Sequence, residues 1–170
     1  MKGDPRSWRD PDILVAKGVG KHMRRSYRLW EEKVRPRVFF EIVSKRTRRV
    51  DTGERVLLYE SLKIREYFLF DPEGPFLKPP LQGYRLVRGR YVRLTPDAEG
   101  GLVSKELGLR MVPEDDSMLR LYDLKTGRPI LTRLEYVKEL QKFRFEAAQS
   151  FDSWAANRLR NKLAEQRQIT

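Results

Sequence analysis

Apolar and polar positions divide the chain into runs of distinct character. Asp12-Ile13-Leu14-Val15-Ala16 is a short apolar run rich in branched residues, and it predicts a buried strand. Gly18 and Gly20 end it. Residues 21–36 are basic and irregular, with Tyr27, Leu29 and Trp30 as apolar anchors and Pro36 as the stop. Arg37 to Val43 is the strongest strand pattern in the chain. Its run is apolar on both faces, which predicts a strand inside a sheet and not at an edge. Glu41 interrupts that run, and burying a carboxylate costs several kcal/mol unless it is paired or bound to metal.

Asp51-Thr52-Gly53-Glu54 matches a helix start in which Asp51 caps the Glu54 amide and Glu54 reaches back. The helix is expected to run to about Lys63, and Glu66 to Phe70 is a further strand. A helix joining two strong apolar strands predicts a right-handed parallel crossover. Residues 75–83 carry three prolines and read as a loop. Tyr84–Val87 and Tyr91–Leu94 flank a glycine turn and predict a hairpin. Short β segments follow around Val103, Leu109–Val112 and Met118–Tyr122. Thr132-Arg133-Leu134-Glu135 is a second capping box. It opens residues 133–166, which read as one long helix or two stacked pieces with an apolar stripe suited to packing or self-association.

The expected organisation is therefore an extended arm over 1–11, an α/β domain over 12–131 and a C-terminal helix over 132–170. The α/β domain divides into a core, 12–72, and a β extension, 73–131.

Composition narrows the chemistry. The chain has no Cys and a single His, His22, so thiol catalysis, thiolate metal sites and multi-histidine clusters are excluded. No apolar run reaches a membrane-spanning length and no signal segment begins the chain, which points to a soluble cytoplasmic protein without a membrane partner. The net charge is +12, and it is unevenly spread. Residues 1–50 hold 15 basic and 6 acidic side chains, whereas residues 51–130 hold 13 of each. Arginine dominates the basic runs, among them Arg24, Arg25 and Arg28, and then Lys45, Arg46, Arg48 and Arg49. Its planar fork suits phosphate, so DNA or RNA is the natural polyanionic partner, with a solvated basic surface as the bland alternative.

Asp12 at a strand start, Glu41 near a strand end and a cation on the next helix could hold Mg²⁺ and a phosphate together. Spacing alone is a weak signal for this, because Asp before a strand is usually a turn residue.

Several segments in order carry a family resemblance. They are Pro11-Asp12-Ile13-Leu14-Val15, Arg25–Glu32, Phe40-Glu41-Ile42-Val43-Ser44 and Thr47-Arg48-Arg49, then Asp51–Arg55, Tyr59 and Arg65–Pro72. Together they resemble the Uma2 family of restriction-endonuclease-like proteins, in the PD-(D/E)XK nuclease superfamily. The resemblance implies a restriction-endonuclease-like mixed sheet flanked by helices, here with a small β extension and a long C-terminal helix. It implies Asp12, Glu41 and Arg55 as the catalytic set. Asp12, Glu41 and the main-chain carbonyl of Ile42 would ligate Mg²⁺, or Mn²⁺ in its place. Ser44 and the surrounding basic residues would meet DNA, and Tyr59 is a family position that otherwise reads as core.

The chain departs from the pattern twice. Arg55 stands where the family usually has Lys, and Arg stays protonated at any useful pH, so it cannot take a proton from water. The family usually carries further elements ahead of the Pro-Asp strand, where this chain has 11 residues, so that strand is expected at an exposed sheet edge. Three readings follow: an Mg²⁺-dependent endonuclease acting on DNA, a non-catalytic nucleic-acid-binding remnant of that fold, and an interaction protein assembling through its C-terminal helix. A homodimer through that helix or through the sheet edge is the expected assembly.

Overall fold

The computed structural model describes residues 11–114 and 117–167, and for residues 161–167 the backbone only. The elements run β1 (Ile13–Val15), α1 (Leu29–Glu32), β2 (Val38–Ile42), α2 (Arg48–Thr52), α3 (Glu54–Ser61) and β3 (Glu66–Phe70). They continue with β4 (Leu81–Val87), β5 (Arg90–Arg93), β6 (Leu102–Ser104), β7 (Leu109–Glu114), β8 (Met118–Asp123) and α4 (Arg133–Arg167). The expected arm, 1–11, falls outside the described residues except for Pro11.

A five-stranded mixed sheet has the order β1-β2-β3-β4-β5. β2 and β3 are parallel, and the other neighbours are antiparallel. The parallel pair is joined through α2 and α3, as the apolar runs on either side of a helix require. β1 lies at an edge of the sheet and β2 lies inside it.

Alternation along the central strands divides their side chains between two faces. Val38 and Phe40 of β2 join Phe68 and Phe70 of β3 on one face, and Leu81, Leu102 and Met111 complete that core. Leu102 and Met111 belong to the antiparallel sheet β6-β7-β8, which covers this side. Phe39, Tyr67 and Leu69 point to the other face and pack with Val43, Tyr59, Ile64 and Leu77. Tyr59 comes from α3, so the helix covers the face that also carries Glu41. Each large apolar side chain buried in this way contributes about 2–3 kcal/mol.

Three elements differ from expectation. The helix predicted from Asp51 begins earlier and breaks at Gly53 into α2 and α3. The Asp51 carbonyl accepts the Tyr67 hydroxyl at 3.0 Å and so faces the core. A Cβ on Gly53 would lie 2.9 Å from the Arg49 carbonyl, which is why the break needs glycine. No side-chain cap forms at Gly53, so Asp51 is not the cap residue its spacing suggested. β4 starts at Leu81 and not at Tyr84, because pairing Phe70 with Leu81 and Leu69 with Gln82 extends it back into the proline-rich stretch. The basic stretch 21–36 contains one short helical turn, α1.

The chain divides into two compact units, the first ending at Ile130 and the second beginning at Leu131. The second unit is α4, a single continuous helix. Its start is a formed capping box, in which Thr132 N donates to Glu135 Oε2 at 2.8 Å and Glu135 N donates to Thr132 Oγ1 at 3.3 Å. Its apolar side chains, including Val137, Leu140, Phe151 and Trp154, are exposed. Among the described residues no helix is long and apolar enough to cross a membrane.

Candidate acidic centre and its basic approach

Glu41 is the residue around which the site is built. β2 places it on the helix-covered face, level with Leu69 of β3, and only 1% of it is exposed. α2 and α3 bring three residues at four-residue spacing toward it: Asp51, Arg55 and Tyr59. Residues four apart on a helix share a face, and here the helix break preserves that alignment.

The contacts are short and specific. Arg55 Nη1 lies 2.5 Å from Glu41 Oε2 and 2.8 Å from Asp51 Oδ1. The Tyr59 hydroxyl donates to Glu41 Oε1 at 2.9 Å. Edge-to-face packing fixes Tyr59 between Phe39 and Tyr67, with ring centroids 4.7 Å and 4.9 Å apart. Both Glu41 oxygens are thus occupied. Asp51 is fully buried, yet its Oδ2 has no hydrogen-bond partner among the described residues, and neither has the buried Arg55 Nε.

Asp12 completes the cluster from the edge of the sheet. The register that pairs Ile13 with Phe40 brings Asp12 level with Glu41. Its Oδ2 accepts the Ile42 amide at 2.7 Å. The Ile42 amide is thus held by an acidic side chain of the neighbouring strand.

Electrostatics follow from this crowding. Burial pushes Glu41 up to about 7, the Tyr59 and Arg55 contacts only partly offset it, and the charges of Asp51 and Asp12 add to the rise. Burial also raises Asp51 above the usual carboxylate range. Burial works against the charge on Arg55, but Glu41, Tyr59 and Asp51 outweigh it and the guanidinium stays protonated. Burial and the Glu41 charge push the Tyr59 hydroxyl upward, so it remains a donor.

The predicted basic residues separate into two sets. Arg24 is committed to its own loop: it pairs with Glu32 and donates to the Gly20 carbonyl at 2.7 Å and the His22 carbonyl at 3.1 Å. Arg28 pairs with Glu31 at 2.9 Å. Acidic neighbours in the same segment thus hold both of these arginines within their own loop. Arg25 is exposed. Ser44 bonds Thr47 side chain to side chain at 3.1 Å and closes the turn after β2. Lys45, Arg46, Arg48 and Arg49 project from that turn and the start of α2, all exposed, and none has an ion-pair partner among the described residues. They lie in the segment that connects Glu41 to Asp51.

Of the residues expected from the sequence, Arg55 and Tyr59 contact Glu41 directly, and Asp12 lies level with it across the β1–β2 pair. Sequence reasoning missed Asp51, which it read as a helix cap. The four-residue spacing of Asp51, Arg55 and Tyr59 was the signal that could have found it.

A comparison with protein families adds one match. The model of the Uma2 family, described as "Putative restriction endonuclease", matches residues 2–114. No curated protein and no solved structure matches the chain.

Proposed function

The chain belongs to the Uma2 family, and on that premise we propose that it is a DNA-directed protein of the nuclease type that grips the phosphodiester backbone beside its acidic centre. The observation that carries this reading is the run Lys45, Arg46, Arg48 and Arg49, which is exposed and unpaired among the described residues and leads directly into Asp51. Arg forks and Lys point charges displace counterions from a polyanion, and each phosphate neutralised adds to a salt-dependent affinity. Glu41 and Asp51 would repel that same backbone if they stood alone. Arg55 between them removes much of the repulsion.

The family implies a divalent metal, and the side chains can be tested against it. Mg²⁺ asks for several free oxygen ligands in near-octahedral geometry. Here both Glu41 oxygens are engaged by Arg55 and Tyr59, Asp51 Oδ1 by Arg55 and one Asp12 oxygen by the Ile42 amide. Among the described residues no group of three His, Cys, Asp or Glu could hold a metal ion. This arrangement does not fit the ion. Arg55 acts as the counter-ion of the centre, and its permanent charge prevents it from serving as a base.

A second reading, Mg²⁺-dependent hydrolysis of DNA, is favoured by one observation. Asp51 Oδ2 is a buried carboxylate oxygen without a partner. That reading requires Arg55 to leave Glu41 when substrate binds.

One experiment separates the two. Binding of a DNA duplex is measured by fluorescence anisotropy across a salt series, and nicking of supercoiled plasmid is measured with Mg²⁺ or Mn²⁺. Salt-sensitive binding without nicking supports the first reading, and a gain of nicking in Arg55→Lys locates the block at Arg55. Nicking by the wild type that is lost in Glu41→Ala supports the second. Salt-insensitive or undetectable binding overturns the first.

A further inference from the structure

A single nitrogen bridges two buried carboxylates in this protein. Arg55 Nη1 is 2.5 Å from Glu41 Oε2 and 2.8 Å from Asp51 Oδ1. Those two oxygens therefore lie no more than about 5.3 Å apart, against about 4 Å for two oxygens on opposite sides of one Mg²⁺ with bonds of about 2.1 Å. Glu41 and Asp51 are 1% and 0% exposed, so water does little to screen their mutual repulsion. Asp51 Oδ2 is buried and unpartnered, so the guanidinium leaves one acceptor of the cluster unsatisfied. Arg55 Nε is likewise buried without a partner. A guanidinium that bonds through one nitrogen and leaves another orphaned uses little of its fork, and serves here mainly as a point of positive charge.

We propose that Arg55 is a resident cation seated where a divalent ion bridging Glu41 and Asp51 would sit, and that shortening this side chain opens a divalent-cation site formed by that pair. The carboxylate on α2 takes part, so the site differs from one built on Asp12, Glu41 and the Ile42 carbonyl. Two buried carboxylates require a cation to fold together at neutral pH, and the chain supplies it covalently. The wild-type fold is accordingly indifferent to chelators. Removal of Arg55 leaves two buried carboxyl groups without their counter-ion, close enough for one divalent ion to draw them together and hold both ionised.

The test needs no DNA, so its outcome is independent of the reading of the basic turn. Mn²⁺ is titrated into the full chain and followed by electron paramagnetic resonance and by the thermal midpoint. Arg55→Ala is expected to bind one Mn²⁺ at least tenfold more tightly than the wild type, with a midpoint that rises as Mn²⁺ is added. Adding Asp51→Asn to Arg55→Ala is expected to lose that gain. Equal Mn²⁺ affinity in the wild type and Arg55→Ala overturns the proposal, as does an Arg55→Ala site unchanged by Asp51→Asn. If Arg55→Ala is unfolded without metal, recovery of its circular dichroism on adding Mn²⁺ is the expected result. If it stays unfolded with Mn²⁺, Arg55→Lys is titrated in the same way. The shorter amine keeps one charge but gives up the bridge, and the absence of a tenfold gain over the wild type then overturns the proposal.

Discussion

Glu66 and Arg85 face each other across β3 and β4, with Arg85 Nε 2.9 Å from Glu66 Oε1. Glu66 is 1% exposed, and it also accepts the Ser104 hydroxyl, the Lys105 amide at 3.0 Å and the Glu106 amide at 3.3 Å. One buried carboxylate thus ties the five-stranded sheet to the segment that follows β6. Glu66→Ala leaves a cation, a hydroxyl and two amides without their acceptor. The expected loss is about 3–5 kcal/mol in denaturant unfolding. Glu66→Gln, which keeps acceptor capacity but not the charge, should lose less.

The acidic centre makes stability depend on pH. Burial raises Glu41 to about 7 from an ordinary 4.5. A raised folded-state pKa means that the native protein binds more protons than the unfolded chain between those values. Its contribution is fully present below about pH 4.5 and is lost as pH rises through about 7. The size is on the order of 3 kcal/mol. Thermal midpoints of the wild type should fall between pH 5 and 8, and Glu41→Gln should flatten that dependence. A wild-type midpoint that rises over this range would contradict the burial-dominated shift.

The basic turn should set the salt dependence of DNA binding. Replacing Lys45, Arg46, Arg48 and Arg49 together by Ala should lower the slope of log affinity against log salt by about 3–4, since each phosphate contact contributes about 0.9. Arg24→Ala should leave the slope unchanged, because Arg24 is spent on Glu32 and two loop carbonyls. A slope lost on Arg24→Ala and kept without the turn would reverse the assignment.

Asp71 organises the turn after β3. Its carboxylate is 2% exposed and accepts the amides of Glu73, Gly74, Phe76 and Leu77, the last two at 2.6 Å and 2.8 Å. Asp71→Ala should cost about 2–4 kcal/mol and open residues 72–78 to limited proteolysis. Asp71→Asn keeps one acceptor oxygen and should fall between wild type and Ala.

Much of the scaffold was legible because it rests on local pattern. Glu66–Phe70 reads as a strand from its apolar run alone, and the Thr132–Glu135 box marks the start of α4 by spacing. Asp12, Glu41, Arg55 and Tyr59 stood out through their order and through an acid set in an apolar run. Asp51 reads as a cap because a linear pattern shows what a residue can bond and not which partner arrives first.

The parallel strand pair, the hairpin, the long helix, the basic first third and the family are all written in the linear chain. Each of these follows from periodicity, charge or motif order within a short window. That Asp51 turns inward, that Arg55 spans two carboxylates and that Tyr59 holds Glu41 emerges from the folded chain alone. Those outcomes depend on α2 and α3 packing across β2, where burial removes water and leaves each carboxylate to the nearest donor. The partners that satisfy Glu41 are 14 and 18 residues away in the chain, and only the fold brings them within 3 Å.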